Sequence, residues 1–170
     1  DVRYYHKTID EMKKGTPIIY QAILYNYHEK IFGSADLLVR SDWLNKIVDT
    51  PVISEDDMKI RGSKLGEVDY HYRVIDIKFS KLHMNTDGET LRNTHNVKPF
   101  KCQVNIYNRA LGEMQGYIPD IGYILGKGWL YTKRVEKTTN IYENKDPFNK
   151  LGKINFTEFD SHYNQVADDA

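Results

Sequence analysis

The chain has 170 residues, enough for one domain with a real core. Its 24 Lys and Arg balance 24 Asp and Glu, so no overall field marks it for nucleic acid or an anionic surface. The single cysteine, Cys102, excludes a disulfide framework and a multi-cysteine zinc or iron–sulfur site, and it fits a reducing, intracellular compartment. No apolar run is long enough to cross a membrane, and no signal peptide is visible. The sequence opens on Asp1 without Met and stops at Ala170 inside what reads as a starting helix, as expected of a piece of a longer protein.

In chain order, Val2, Tyr5, Ile9 and Met12 have helical spacing over residues 2–14, with Gly15 to end the helix and Pro17 to block its continuation. Ile18–Tyr27 and Ile31–Arg40 read as strands joined by a turn at His28-Glu29-Lys30, a hairpin in which Gln21 reads first as an ordinary strand position and second as a residue approaching a functional site. Residues 41–69 read as an insertion between core strands, partly loop. It has a short helix over Asp42–Val48 and an acidic run, Glu55-Asp56-Asp57. A clamp, a dimer contact and a substrate-guiding flap are all open readings of it. A long central strand is expected over Tyr70–Leu82, followed by a hairpin turn at Asp87-Gly88. Phe100, Val104, Tyr107 and Leu111 mark an amphipathic helix over Pro99–Leu111, capped by Gly112. Gly122–Leu130 reads as a strand, and 131–153 as a polar stretch rich in Lys and Asn. Thr157 is placed to cap a last helix from Glu158. This order gives an α/β fold with a mixed sheet.

The chemistry concentrates in Val74-Ile75-Asp76-Ile77-Lys78-Phe79. Strand alternation sends Ile75, Ile77 and Phe79 one way and Asp76 and Lys78 the other. Charges beside a core are costly unless they are paired or bind a metal. Alone, the pair reads as a salt bridge. Two further signals flank it: Gly33-Ser34-Ala35-Asp36 in the second hairpin strand, and Gln103 and Tyr107 one turn apart on one helix face.

In this order the three segments resemble the Gly-x-x-Asp, Asp/Glu-x-Lys and Gln-x-x-x-Tyr motifs of the PD-(D/E)xK nuclease superfamily. The likeness is to its RecB-like branch, near lambda-type exonucleases and the nuclease of the CRISPR adaptation machinery. It spans roughly residues 8–130 and includes Pro17-Ile18-Ile19-Tyr20-Gln21-Ala22, Asp36-Leu37-Leu38-Val39-Arg40 and Gln115-Gly116-Tyr117-Ile118-Pro119. The resemblance implies a restriction-endonuclease-like core and a DNA exonuclease that uses Mg²⁺ or Mn²⁺. It implies Asp36, Asp76 and the Ile77 carbonyl as metal ligands, with Lys78 positioning the attacking water or offsetting charge on the scissile phosphate. Gln103 and Tyr107 would hold the DNA end or the scissile phosphate. DNA is the implied partner, in a homo-oligomer or a larger nuclease assembly. The alternative is a DNA-binding or scaffolding module that keeps the fold without catalysis. Relatives carry a further upstream His or Glu; His6, Asp10 and Glu11 are the candidates, and none is preferred.

Other features carry less. His28, His71, His83 and His95 share no metal-ligand spacing, and Gly126-Lys127-Gly128 lacks phosphate-loop spacing. Lys127, Lys133, Arg134 and Lys137 read equally as a basic stripe along a DNA groove and as a solvated face.

Overall fold

A computed structural model describes residues 2–94 and 97–157. Helix α1 (Val2–Lys14) leads into the hairpin of β1 (Ile18–Asn26) and β2 (Ile31–Arg40). The short helices α2 (Leu44–Ile47) and α3 (Glu55–Met58) precede β3 (Tyr72–Ile77) and β4 (Leu82–His83). The long helix α4 (Val97–Gln115) is followed by β5 (Ile121–Leu125), β6 (Trp129–Val135), β7 (Thr138–Asn144) and β8 (Gly152–Asn155). The main sheet has the order β1-β2-β3-β5-β8, mixed because β3 and β5 run parallel; a second sheet holds β4-β6-β7. The α/β class and mixed sheet match expectation, and no helix among the described residues is long and apolar enough to cross a membrane.

Strand alternation on β3 builds a core on each face of the main sheet. Tyr72 and Val74 face α4, joining Val104, Leu111 and Met114 with Leu24, Ala35 and Leu38 of the hairpin. Ile75 faces the other way, with Val39 and Tyr123. That second face is covered by the stretch expected as an insertion, through Leu44, Val48, Val52, Ile53 and Met58. Its loops are tied internally. The Asn45 amide accepts from Val52 N at 2.8 Å and donates to the Ile53 carbonyl at 2.9 Å, and the Ser54 hydroxyl caps α3 at Asp57 N.

Several boundaries differ from the sequence reading, the short helix expected over Asp42–Val48 among them, which is Leu44–Ile47. The central strand covers Tyr72–Ile77, not Tyr70–Leu82. After Lys78 N bonds the Leu125 carbonyl, the chain turns through Ser80 and carries Leu82 into the second sheet, leaving Phe79 81 % exposed instead of on the apolar face. The expected strand 122–130 is two strands in two sheets. The break falls at Gly126, where a Cβ would strike Leu82, and at Gly128, with φ +94. Helix α4 extends past Leu111, because Gly112 lies inside it under Ile118 and the left-handed cap is Gly116, φ +78. The polar stretch from 131 holds β6 and β7, paired across Tyr131↔Tyr142 and Thr132↔Ile141, the β-branched and aromatic positions that favour strands. The Asp87-Gly88 turn is present: Asp87 accepts from Thr90 N, Gly88 has φ +70, and Met84 bridges Leu91. The helix expected from Glu158 lies outside the described residues, as does His95.

One buried amide fixes α4 against the sheet. Gln115, fully buried, accepts from Tyr72 N at 2.8 Å and donates to the Tyr72 and Tyr117 carbonyls, both at 3.0 Å. The side chain thus bonds Tyr72 as a neighbouring strand would. Gln115→Leu leaves the Tyr72 N–H and C=O unpaired, and should destabilise the protein by roughly 2–3 kcal/mol in urea unfolding. A change within about 0.5 kcal/mol would show that Gln115 does not tie α4 down.

Candidate active site

The β2–β3 ladder runs from Arg40↔Tyr72 to Leu37↔Ile75 and then stops. Where the strands separate, two carboxylates take over the backbone donors. Asp36 N donates to Asp76 Oδ1 at 3.1 Å, and Ile77 N donates to Asp36 Oδ2 at 2.8 Å. Each acid is therefore held by the strand that carries the other. In an extended strand the N–H and C=O of one residue leave by the same edge, so the Ile77 carbonyl also points toward Asp36.

A kink aims Asp36. Ile19 and Ala22 both face the α4 core although three residues apart, and so do Ala35 and Leu38. Regular alternation would put the members of each pair on opposite faces. Both strands therefore break their alternation at one level, where Gln21 stands opposite Asp36 between the Tyr20↔Leu37 and Ala22↔Ala35 pairs. Gln21 has φ +51, a left-handed conformation unusual for a residue with a Cβ. It is not the ordinary strand position its sequence context suggests, and nothing in the sequence marks it.

Asp76 is 5 % exposed, and burial pushes its pKa up to about 6. The hydrogen bond from Asp36 N works against that rise, while the charge of Asp36 adds to it. Two facing acids, one of them buried, form a site that a cation would stabilise.

Lys78 leaves β3 on the Asp76 side and reaches α4, its Nζ 5.8 Å from the centre of the Phe100 ring. Tyr107, one turn beyond Gln103 on α4, feels both carboxylates: burial first, then Asp76, raise its pKa. Gln103 Nε2 donates to the Tyr107 hydroxyl at 2.8 Å. The hydroxyl oxygen is thereby an acceptor and its proton is left to donate elsewhere. The Tyr107 ring lies on Gly33, where a Cβ would come within 2.5 Å of Cε1. The Gly in Gly33-Ser34-Ala35-Asp36 thus makes room for the tyrosine above the acids. Hydrogen bonds join Asp36, Asp76 and Ile77 N, and Tyr107, bonded to Gln103, lies close enough to feel both acids, while Lys78 reaches toward Phe100 on α4.

The upstream candidates do not join them. Glu11 accepts from Thr16 and pairs with Lys14, and its charge is felt at Tyr72, the opposite end of β3 from Asp76. His6 packs edge-on to Tyr5, and Asp10 is exposed. Among the described residues no three His, Cys, Asp or Glu side chains group as metal ligands. His71 and His28 are engaged apart from the site. His71 is buried on the far side of β3; burial lowers its pKa to about 4, so it stays neutral. Its Nδ1 donates to the Ile60 carbonyl and its Nε2 accepts from the buried Arg73. His28 pairs with Glu113. Lys133 and Arg134 are consecutive on β6 and leave opposite faces, so they form no single stripe.

The acid pair predicts a pH signature. In the metal-free protein Asp76 keeps its proton up to about pH 6, whereas in the unfolded chain it loses it near pH 4. The folded state binds more protons between these values, so stability falls as pH rises through that window. Asp76→Asn should match the parent near pH 4 and exceed it at pH 7.5 in urea unfolding with EDTA. Parallel pH profiles for the two proteins would contradict this.

No family model matches this sequence, and no curated protein matches it either.

Proposed function

We propose that the chain is a divalent-metal-dependent DNA nuclease with a restriction-endonuclease-like core, hydrolysing phosphodiester bonds with water inside the cell. The observation that carries this reading is the reciprocal pair of carboxylates where β2 and β3 part, with Tyr107 close enough to feel both charges and Lys78 two residues beyond Asp76. The donor set fits the metal. Mg²⁺ and Mn²⁺ take hard oxygen ligands, and Mg²⁺ commonly uses one or two carboxylates and keeps several waters. Asp36, Asp76 and the Ile77 carbonyl would hold it, and Asp76 would gain a counter-charge for its buried carboxylate.

When bound, the metal supplies an activated water and offsets charge on the phosphate. The chain's residues do the rest. Lys78 is a compact cation on the same side as the acids, suited to orient the water or to balance the phosphate charge. Tyr107, its hydroxyl oxygen already accepting from Gln103, presents its proton to a phosphate oxygen. Gln103 fixes that hydroxyl and thus positions the DNA.

Linear DNA should be cut with Mg²⁺ or Mn²⁺ and not with EDTA. Asp36→Ala, Asp76→Ala and Lys78→Ala should each lose at least roughly a hundred-fold in rate. Gln103→Ala should raise KM for DNA several-fold and leave metal affinity, read by calorimetry, unchanged. Cleavage that survives the Asp76 and Lys78 substitutions in folded protein would overturn the assignment. DNA binding without metal-dependent cleavage would mark a module that keeps the fold without the chemistry.

A further inference from the structure

The two faces of the second sheet differ in character. Main-chain bonds add residues 90–92 beside β4: Arg92 N donates to the His83 carbonyl and Asn85 N to the Thr90 carbonyl, both at 2.8 Å, on either side of the Met84↔Leu91 bridge. Residues paired across neighbouring strands leave by one face. Register therefore sets Arg92, His83, Leu130 and Glu143 in one row on one face, with Thr132↔Ile141 and Arg134↔Thr139 further along the same side. Burial agrees. Leu82, Met84 and Leu91 are buried on the core side, whereas His83, Asn85, Arg92, Thr132 and Arg134 are exposed. The aromatic rings belong to the core side, where Tyr131 stacks on both Trp129 and Tyr142.

The outer face carries a groove of about 570 Å³, lined by Arg92, His83, Asn85, Thr86 and Thr132 among others. Each of these five side chains brings a hydrogen-bond donor: a guanidinium, a ring N–H, an amide and two hydroxyls. No carboxylate lines the groove. Two other clefts that hold a cation also hold an acid: Arg73 and Lys153 share theirs with Asp57 and Asp120, and Arg109 shares its own with Asp120. The acids nearest the groove are engaged. Glu143 pairs with Lys81 at 3.5 Å, and Asp87 of the hairpin turn accepts from Glu89 N and from Thr90 N and its hydroxyl. Arg134, its Nε on the Glu136 carbonyl, adds a cation further along the face.

Donors and a guanidinium with no acid among them suit phosphate oxygens. Two features favour the backbone of a nucleic acid over a single nucleotide. The Tyr131 ring is turned to the other face, so no Phe, Tyr or Trp ring in the groove can hold a base. The cationic face also continues past the groove to Arg134, and a duplex offers phosphates at regular intervals to meet it. The face follows directly from the candidate site, since β4 is the next strand after β3 and Lys78. We propose that the outer face of the second sheet binds the phosphate backbone of duplex DNA through Arg92 and Arg134, with the groove's neutral donors completing the contact. That this duplex is the one cut at Asp36 and Asp76 rests on the nuclease reading; the phosphate binding does not.

The test is fluorescence anisotropy of the chain with a labelled blunt duplex in EDTA, at NaCl concentrations between about 50 and 200 mM. Arg92→Gln and Arg134→Gln, at exposed positions and checked for folding by circular dichroism, should each weaken binding roughly five-fold at the lowest salt and reduce the salt slope by about 1. Lys133→Gln, on the opposite face of the same strand, should change neither. Binding by Arg92→Gln with the parent's affinity and slope would overturn the proposal, as would an equal loss in Lys133→Gln or a parent that binds no duplex. Sodium phosphate that displaces the duplex better than NaCl of equal ionic strength would also overturn it, assigning the groove to a small phosphate-bearing ligand. If the duplex binds through Arg92 but is not cut with Mg²⁺ or Mn²⁺, the nuclease reading falls and the binding face stands. If DNA is cut but Arg92→Gln binds like the parent, the binding face falls and the nuclease reading stands.

Discussion

The exchange of hydrogen bonds between Asp36 and Asp76 is the constraint on which the candidate site depends. A backbone ladder that ended without partners would leave buried donors unpaired, at a cost comparable to lost hydrogen bonds. Here the two acids accept those donors, so each strand end is satisfied by the side chain of the other. The same arrangement brings two negative groups together and buries one of them, which raises the Asp76 pKa. What stabilises the strand ends therefore strains the acids electrostatically, and a cation is the group that would relieve it.

The surrounding fold serves this junction. Gln115 and Gly116 set where α4 ends, and Gln115 ties that end to Tyr72 at the start of β3. From there α4 runs back over the sheet, placing Tyr107 on Gly33 and Gln103 one turn further on. Residues 41–58 cover the opposite face and hold Ile75 in a core of its own, so β3 is buried on both sides. A strand fixed from both faces holds Asp76 and the Ile77 carbonyl to one geometry, which a site that orders ligands requires.

The periodic parts of this structure were legible in the sequence. Helix α1, the hairpin and the amphipathic core of α4 follow from apolar spacing, and so does the alternation that puts Asp76 opposite Ile75. That Asp36 and Asp76 meet, with Tyr107 and Gln103 over them, follows the order of the three motifs in the sequence. Three features were not legible. The φ +51 at Gln21 is a tertiary effect, since nothing local favours a left-handed Gln in a strand. The second sheet was hidden because the expected strands 70–82 and 122–130 each join two shorter ones, and the glycines that divide the latter act by steric fit to Leu82 at Gly126 and by a left-handed backbone at Gly128. The inward face of residues 41–58 was hidden because its apolar positions follow neither period, and its shape comes from Asn45 and Ser54 bonding to backbone.

Metal binding at the acid pair can be read by anomalous diffraction from a crystal soaked in millimolar Mn²⁺. One peak is expected within about 2.0–2.4 Å of carboxylate oxygens of both Asp36 and Asp76 and of the Ile77 carbonyl oxygen. No peak there, with the two carboxylates still bonded only to each other's strands, would contradict it.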